Sequence, residues 1–393
     1  MGKNIWVTIP TFWGKNEINS LENQIIFDHP TYPSSRETLS RTINSLNNIN
    51  GKFNVLIILA ITHKKYYNEA KSKVVTIINK LNIRNNIFLV SEDEINLISK
   101  QLHTNLLNLN SYGSVRNIQL FIPYCLGCDY VIAIDDDEII ENKDFIKDVV
   151  TSLDNEDKAC GLAGPYLDKN GNYEIKNADK LNQETNLYKR KIYYMNEAVK
   201  KEMNHKDDFH PSVIAFGGNM CFKRSTIKNI PHDPFIPRGE DYDYVLNAYL
   251  FDFQFYFNKN THIIHLPPSA EASSDKSNLN KLKADIVRFI YMNKKINEYN
   301  KRFGYKKMDN NLFYPYPGNY FIKEELLIND VKEILSIVFE NNKNKIDDYI
   351  NAALSTCEIK CSEYFKFKEN WNSLLNDCNK INLVKQIFSE TKY

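Results

Sequence analysis

Val131-Ile132-Ala133-Ile134-Asp135-Asp136-Asp137-Glu138 runs four apolar residues straight into four carboxyl-bearing ones. A short, purely apolar run of this kind is the mark of a strand covered on both faces, as in a parallel sheet. In open α/β sheets ligands bind beyond the carboxyl ends of the strands. That is where the three adjacent aspartates fall. Working outward, further apolar runs stand at 5–10, 53–61 and 87–90. Helical patterns alternate with them at 38–46, at 66–81, and over a stretch that Ser114 is placed to cap and that runs to about Cys125. In 38–46, Leu39, Ile43 and Leu46 share one helical face. This alternation predicts an α/β fold with a mostly parallel sheet. Residues 159–167, followed by Lys-Asn-Gly-Asn at 169–172, read as a strand entering a hairpin. Beyond about 270 the strand signal ends, and 279–299, 323–339 and 346–354 read as amphipathic helices. Pro267, Pro268 and the Ser-rich stretch after them mark the expected boundary. The predicted organisation is therefore an α/β domain over 1–268 and a helical C-terminal region over 269–393.

The bulk composition narrows the class. The 393 residues carry 50 Lys+Arg against 49 Asp+Glu, and no dense basic run stands out, so a nucleic-acid partner is not expected. A 42% hydrophobic share with 25% charged residues suits a soluble globular chain. The N-terminus, MGKNIWVTIP, reads directly into a strand and lacks a signal-peptide core. No window reaches the ~18 apolar residues of a membrane span. The expected compartment is the cytoplasm, with peripheral membrane contact and oligomeric state left open. Among the seven cysteines, Cys125 and Cys128 form one CxxC without a second pair at zinc-site spacing, which reads as reduced cysteines at a helix end.

Three clusters carry the chemistry. So much negative charge at Asp135, Asp136 and Asp137 is destabilising unless a cation neutralises it. Hard oxygen ligands suit Mg²⁺ or Mn²⁺, usually carrying substrate phosphates; the bland alternative is a solvated acidic turn. Gly239-Glu240-Asp241-Tyr242-Asp243 heads a second helical stretch. Its carboxylates either serve the helix dipole or supply a general base. His262 and His265 lie on an apolar strand three apart, so they face opposite sides and only one reaches a shared site.

With these residues in place, the chain resembles family-2 glycosyltransferases, inverting enzymes of the GT-A fold, a Rossmann-like nucleotide-diphospho-sugar transferase domain. Four segments match in order: Ser114-Val115-Arg116-Asn117 leading to Gly127-Cys128-Asp129-Tyr130; the DxD-like Asp135-Asp136-Asp137; Phe216-Gly217-Gly218-Asn219 followed by Arg224; and Gly239-Glu240-Asp241, similar to the ED motif. The resemblance covers roughly 1–268. It implies a metal-dependent transfer of sugar from a nucleotide-diphosphate sugar to the hydroxyl of a carbohydrate or small hydroxylated acceptor, with inversion. Asp135 and Asp137 would hold Mn²⁺ or Mg²⁺, and His265 would complete the shell, as in the polymerising galactofuranosyltransferases. Asp241 would be the general base, with Glu240 orienting the acceptor. Thr11, Arg116, Asp135, Asp136, Gly217, Gly218 and Asn219 would contact the donor. Arg116 has an equal alternative as a structural partner of the acidic loop. The chain departs from the family in carrying two Pro-Thr copies, Pro10-Thr11 and Pro30-Thr31, either of which could meet the nucleobase. The helical C-terminal region would shape acceptor choice or assembly. The runner-up is a retaining GT-A transferase of the mannosylglycerate-synthase type, in which Asp241 only binds substrate. A nucleotidyltransferase would need a Gly-rich basic loop where 10–15 reads PTFWGK, and a non-catalytic module would have no need of the carboxylates with His265.

Overall fold

The computed structural model describes residues 2–15, 27, 30–81, 83–175, 178–267 and 275–389. The first half alternates as expected. β1 (Ile5–Trp13) precedes α1 (Leu39–Leu46), then come β2 (Asn54–Ile61), α2 (Tyr67–Lys80), β3 (Asn86–Val90), α3 (Glu92–Gln101), α4 (Tyr112–Cys125) and β4 (Tyr130–Ile134). β5 (Glu138–Ile139), α5 (Phe145–Asp154), β6 (Ala159–Ala163), β7 (Tyr166–Leu167) and α6 (Leu187–Met203) follow. The remaining strands are β8 (Phe209–Pro211), β9 (Asn219–Lys223), β10 (Gln254–Asn258) and β11 (Ile263–His265), with α7 (Arg224–Ile227) and α8 (Glu240–Leu250) between the second and third of these. The C-terminal part is helical: α9 (Asp275–Phe303), α10 (Asn310–Phe313), α11 (Glu324–Val338), α12 (Lys343–Asn376) and α13 (Cys378–Ser389).

The main sheet has the order β3-β2-β1-β4-β9-β6-β10-β8. β1, β2, β3 and β4 pair in parallel, and β9 runs antiparallel between β4 and β6. Strand alternation divides the core into two layers. Ile5, Val7 and Ile9 of β1, with Val55, Ile57 and Leu59 of β2, face α1, α2 and α5. Trp6, Leu56, Ile58, Val131 and Ala133 point the other way, into a larger core shared with α4, α8, α9 and α12. A second sheet, β5-β11-β7, sits at the end of β4 and sets His265 opposite Glu138.

Several local expectations shift. Ser111, not Ser114, caps α4: its hydroxyl accepts from the backbone N–H of Ser114 at 3.2 Å, because the helix begins three residues earlier than the pattern indicated. No hairpin forms at 169–172. β6 and β7 belong to different sheets, and Asp168 closes the turn on itself by accepting from the backbone N–H groups of Asn170 and Asn172. The helix read at 346–354 continues through Asn376. Pro268 and the Ser-rich stretch of the expected boundary lie outside the described residues.

The C-terminal helices share the core of the α/β layers. Trp371 of α12 is fully buried and donates to the Ile227 carbonyl at 2.8 Å. Lys295 of α9 is completely buried between Asp233 and Asp243, at 2.6 Å from each. Tyr291 adds a hydrogen bond to Asp233 at 2.6 Å. Among the described residues, no helix is long and apolar enough to cross a membrane.

Candidate active site

A cavity of about 440 Å³ opens where β1, β4 and β11 end and α8 begins. Its walls include Phe12, Arg116, Asp135, Asp136, Asp137, Tyr166, Phe216, Gly217, Glu240, Asp241 and His265. Segments spread over more than 250 positions of sequence thus meet at one edge of the sheet, the edge expected for a doubly covered parallel sheet.

The acidic loop is held by its own neighbours. Asp136 accepts from Thr11 Oγ1 at 2.5 Å, and its carbonyl accepts from Thr42 Oγ1 at 2.8 Å. Burial, with Asp137 and Asp135 beside it, pushes the Asp136 carboxyl well above the usual range. Glu138, fully buried, turns back to accept from the backbone N–H of Asp135 at 2.7 Å. Its other oxygen, Oε1, has no hydrogen-bond partner. Burial and the Asp135 and Asp137 charges raise its pKa strongly as well.

Arg116 joins the two acidic clusters. Its guanidinium is buried, grips Asp135 with both ends at 2.7 and 3.2 Å, and donates through Nε to Glu240 at 3.3 Å. Gln119 takes a further bond at 3.1 Å. Bidentate pairing of this kind is geometrically specific. Glu240 is pushed up to about 7 by burial and by adjacent Asp241, against the pull of Arg116. Asp241 is also raised by burial, with Arg288 and the Tyr242 backbone N–H opposing. That N–H donates to Asp241 Oδ1 at 2.8 Å. A carboxylate lifted in this way holds a proton more readily than a solvated one.

His265 lies 3.3 Å from Asp137, Nε2 to Oδ2. Burial alone would depress the imidazole, but the hydrogen bond and charge of Asp137 carry it above its ordinary value. Its ring packs at 5.4 Å on Tyr166, which stacks on Phe216 at 4.8 Å. His262 precedes β11 and stands off the cavity wall.

The expected residues separate into those on the wall and those behind it. Arg116, the three aspartates, Gly217, Glu240, Asp241 and His265 line the cavity; Thr11, Gly218 and Asn219 do not. Thr11 is fully buried and positions Asp136. Gly218 leaves room for the Glu138 and Tyr166 side chains, since a Cβ there would come within 2.0 Å of Glu138 Oε1 and 2.3 Å of the Tyr166 hydroxyl. Asn219 donates to the Thr261 carbonyl at 2.8 Å. The second Pro-Thr copy lies beside the first: Thr31 pairs with Trp13, and its N–H donates to the Phe12 carbonyl at 2.7 Å. Asp135 faces Arg116 while Asp137 faces His265, and among the described residues no group of three His, Cys, Asp or Glu side chains is arranged as a metal site. The cavity also takes in Tyr166, Lys191, Arg238 and Arg288, which the sequence reading did not single out. Only Arg238, next to the Gly-Glu-Asp segment, stood near a motif.

No protein-family profile matches the chain, and no curated protein matches it in sequence. Among solved structures, a mycobacterial protein matches at 13% identity and TM-score 0.39, over 73% of this chain and 75% of its own. Mannosyltransferase PcManGT from Pyrobaculum calidifontis, in complex with GDP-Man and Mn²⁺, matches at 11% identity and TM-score 0.45, over 98% of this chain and 88% of that one. GalNAc-T7 with UDP, GalNAc and Mn²⁺ matches at 11% identity and TM-score 0.42, over 85% of this chain and 57% of that one.

Proposed function

We propose that the protein is a metal-dependent GT-A glycosyltransferase that moves a sugar from a nucleotide-diphosphate donor to an acceptor hydroxyl with inversion. The observation that carries this reading is the meeting of the Asp135–Asp137–His265 loop and the Glu240–Asp241 pair in one cavity. Carboxylate oxygens and one imidazole are the donor types that suit Mn²⁺ or Mg²⁺, though among the described residues they are not gathered into one ligand set, Asp135 being turned to Arg116. Asp137 and His265 stand 3.3 Å apart, so a carboxylate oxygen and an imidazole nitrogen would be available to one shared cation. Asp135, Asp137 and His265 would hold the ion, which would neutralise charge growing on the diphosphate leaving group.

The chain's own groups do the rest. Asp241 takes the proton of the acceptor hydroxyl as that oxygen attacks the anomeric carbon, its raised pKa making it a better acceptor than a solvated carboxylate. Arg116 keeps the acidic loop and Glu240 at a set distance from each other. Glu240, next to Asp241 in the first turn of α8, then orients the acceptor. Phe216 and Tyr166 present a stacked aromatic face, a surface suited to the apolar side of a sugar ring.

Hydrolysis or transfer measured across a panel of nucleotide sugars tests the reading. Turnover should vanish in EDTA and return with Mn²⁺ or Mg²⁺. Undiminished turnover in EDTA would remove the metal assignment, and no turnover with any nucleotide sugar would remove the transferase.

A further inference from the structure

Glu240 and Asp241 are adjacent carboxylates, and arginines from two different helices meet them. Arg116 of α4 donates to Glu240 at 3.3 Å. Arg288 of α9 lines the same cavity as Asp241. Gly239, two residues before Asp241, adopts φ +70°, and a Cβ there would fall 2.4 to 2.6 Å from Cζ, Nε and Nη1 of Arg288. The guanidinium therefore lies against the backbone turn from which Asp241 projects, in room that only a glycine leaves.

Arg288 is held where it stands. It is only 4% exposed. Its Nη2 donates to the Tyr316 hydroxyl at 2.6 Å. The rings of Phe289, Tyr242 and Tyr316 lie 4.7 to 5.6 Å from its Cζ, an aromatic surround that favours a cation. Its Nη1 stands 3.6 Å from Asp285 Oδ1, and Asp285 also pairs with Lys191 of α6 and with Arg238. Burial raises the Asp241 carboxyl, and Arg288 is the foremost of the groups opposing that rise, ahead of the Tyr242 N–H and Arg116. Burial likewise disfavours the Arg288 charge, which Tyr316, Asp285 and Asp241 more than offset. Glu240 and the hydroxyls of Tyr242 and Tyr316 are the other titratable groups facing Asp241. Of the two arginines, Arg116 is already engaged by Asp135 and Glu240.

We propose that Arg288 is the positioning residue of the base: from α9 it braces the Gly239 turn and sets its charge against the Asp241 carboxylate. Arg116 and Arg288 then divide Glu240 and Asp241 between them, and the C-terminal helices take part in the reaction through Arg288. Calling Asp241 the base rests on the transferase reading; its pairing with Arg288 does not.

Carboxyl-carbon NMR of the full chain labelled at aspartate, titrated in EDTA, tests the pairing without turnover. The Asp241 signal is the one lost in Asp241→Asn. An arginine beside a carboxylate lowers its pKa by about 1–3 units. The Asp241 midpoint should therefore rise by about one pH unit or more in Arg288→Gln, and by less in Arg288→Lys, which keeps the charge. The acid limb of the kcat/KM profile with Mn²⁺ should move the same way, since it reports the base of the free enzyme. Mn²⁺–nucleotide affinity should stay within about twofold. An Asp241 midpoint that stays or falls in a folded Arg288→Gln protein would overturn the proposal. Should Arg288→Gln fail to fold by circular dichroism, the arginine Nε–H signals decide. That of Arg288, identified by its loss in Arg288→Lys, should move at the Asp241 midpoint in wild type and stay flat in Asp241→Asn; a flat signal in wild type would overturn the proposal. A raised midpoint with no turnover on any nucleotide sugar, or with an unmoved acid limb, would uphold the pairing and remove Asp241 as the base.

Discussion

Arg116 shows what a single residue can do in this cavity. Five carboxyl groups in two clusters, 135–137 and 240–241, line its walls, and one buried guanidinium orders Asp135 and Glu240 against each other. Four of its five donors are taken by protein groups, which favours the positioning role over direct contact with a donor phosphate. Gly218 is a similar case: side chains of Glu138 and Tyr166 occupy the room it leaves. In the mechanism proposed above, Asp241 is the residue on which the reaction turns. Asp241→Asn keeps the shape and the hydrogen bond from Tyr242 but cannot take a proton. Its kcat should fall by about 10²–10⁴-fold, the usual worth of a general base, while Mn²⁺–nucleotide affinity holds. NMR coupling across the new bond should report an anomeric configuration opposite to the donor's. A retained configuration would reject single displacement and promote the retaining mechanism.

At the scale of elements, the site depends on where strands and helices end. β11 is only three residues long, and its pairing of His265 with Glu138 is what aims one histidine of the pair at the acidic loop. α8 is set in place from its N-terminal side by the loop that carries His232. The His232 backbone N–H donates to Asn117 Oδ1 at 2.8 Å, and Asn117 Nδ2 donates back to the His232 carbonyl at 2.9 Å. The imidazole packs at 4.5 Å on Tyr244 of α8. Burial, and then the Arg116 charge, push its pKa down to about 3. A histidine depressed in the folded state stays neutral there while the unfolded chain takes up a proton near pH 6.5. The stability it contributes is full above pH 6.5 and drains away as the pH falls toward 3. The slope from this one group reaches about 1.4 kcal/mol per pH unit. Urea unfolding at pH 7.5, 5.5 and 4.5 should show a flatter decline in His232→Gln than in wild type. Parallel declines would mean that the ring is not held neutral.

At the scale of the whole molecule, the helices after residue 275 complete the main core, and Lys295 is the clearest link. It bridges Asp233 and Asp243 with no exposure to solvent, and Asp243 is pushed up to about 6 by burial despite the lysine. Lys295→Met would leave two buried carboxyl groups without a cation. Urea denaturation should show a loss of about 3–5 kcal/mol, the usual effect of breaking a buried pair; a loss below about 1 kcal/mol would mean the pair is incidental. Much of the α/β half was legible in the chain itself. Continuous apolar burial in β1 and β2, and an apolar β4 running into aspartates, are local patterns that doubly covered strands impose on sequence. The absence of a hairpin after β6 was not legible, because the same turn serves a strand that leaves for a second sheet. The cation cluster was hidden for a stronger reason. Lys191 of α6, Arg238 in a turn and the i,i+3 pair Asp285–Arg288 of α9 stand about fifty positions from one another, and no spacing rule links segments so far apart. By itself the sequence determined the layered sheet and the acidic loop at its carboxyl edge, since both follow from short-range periodicity and from where an apolar run stops. Which charges share the cavity was decided only when α6 and α9 packed across the sheet, because burial and electrostatic pairing depend on distance in space and not on distance along the chain.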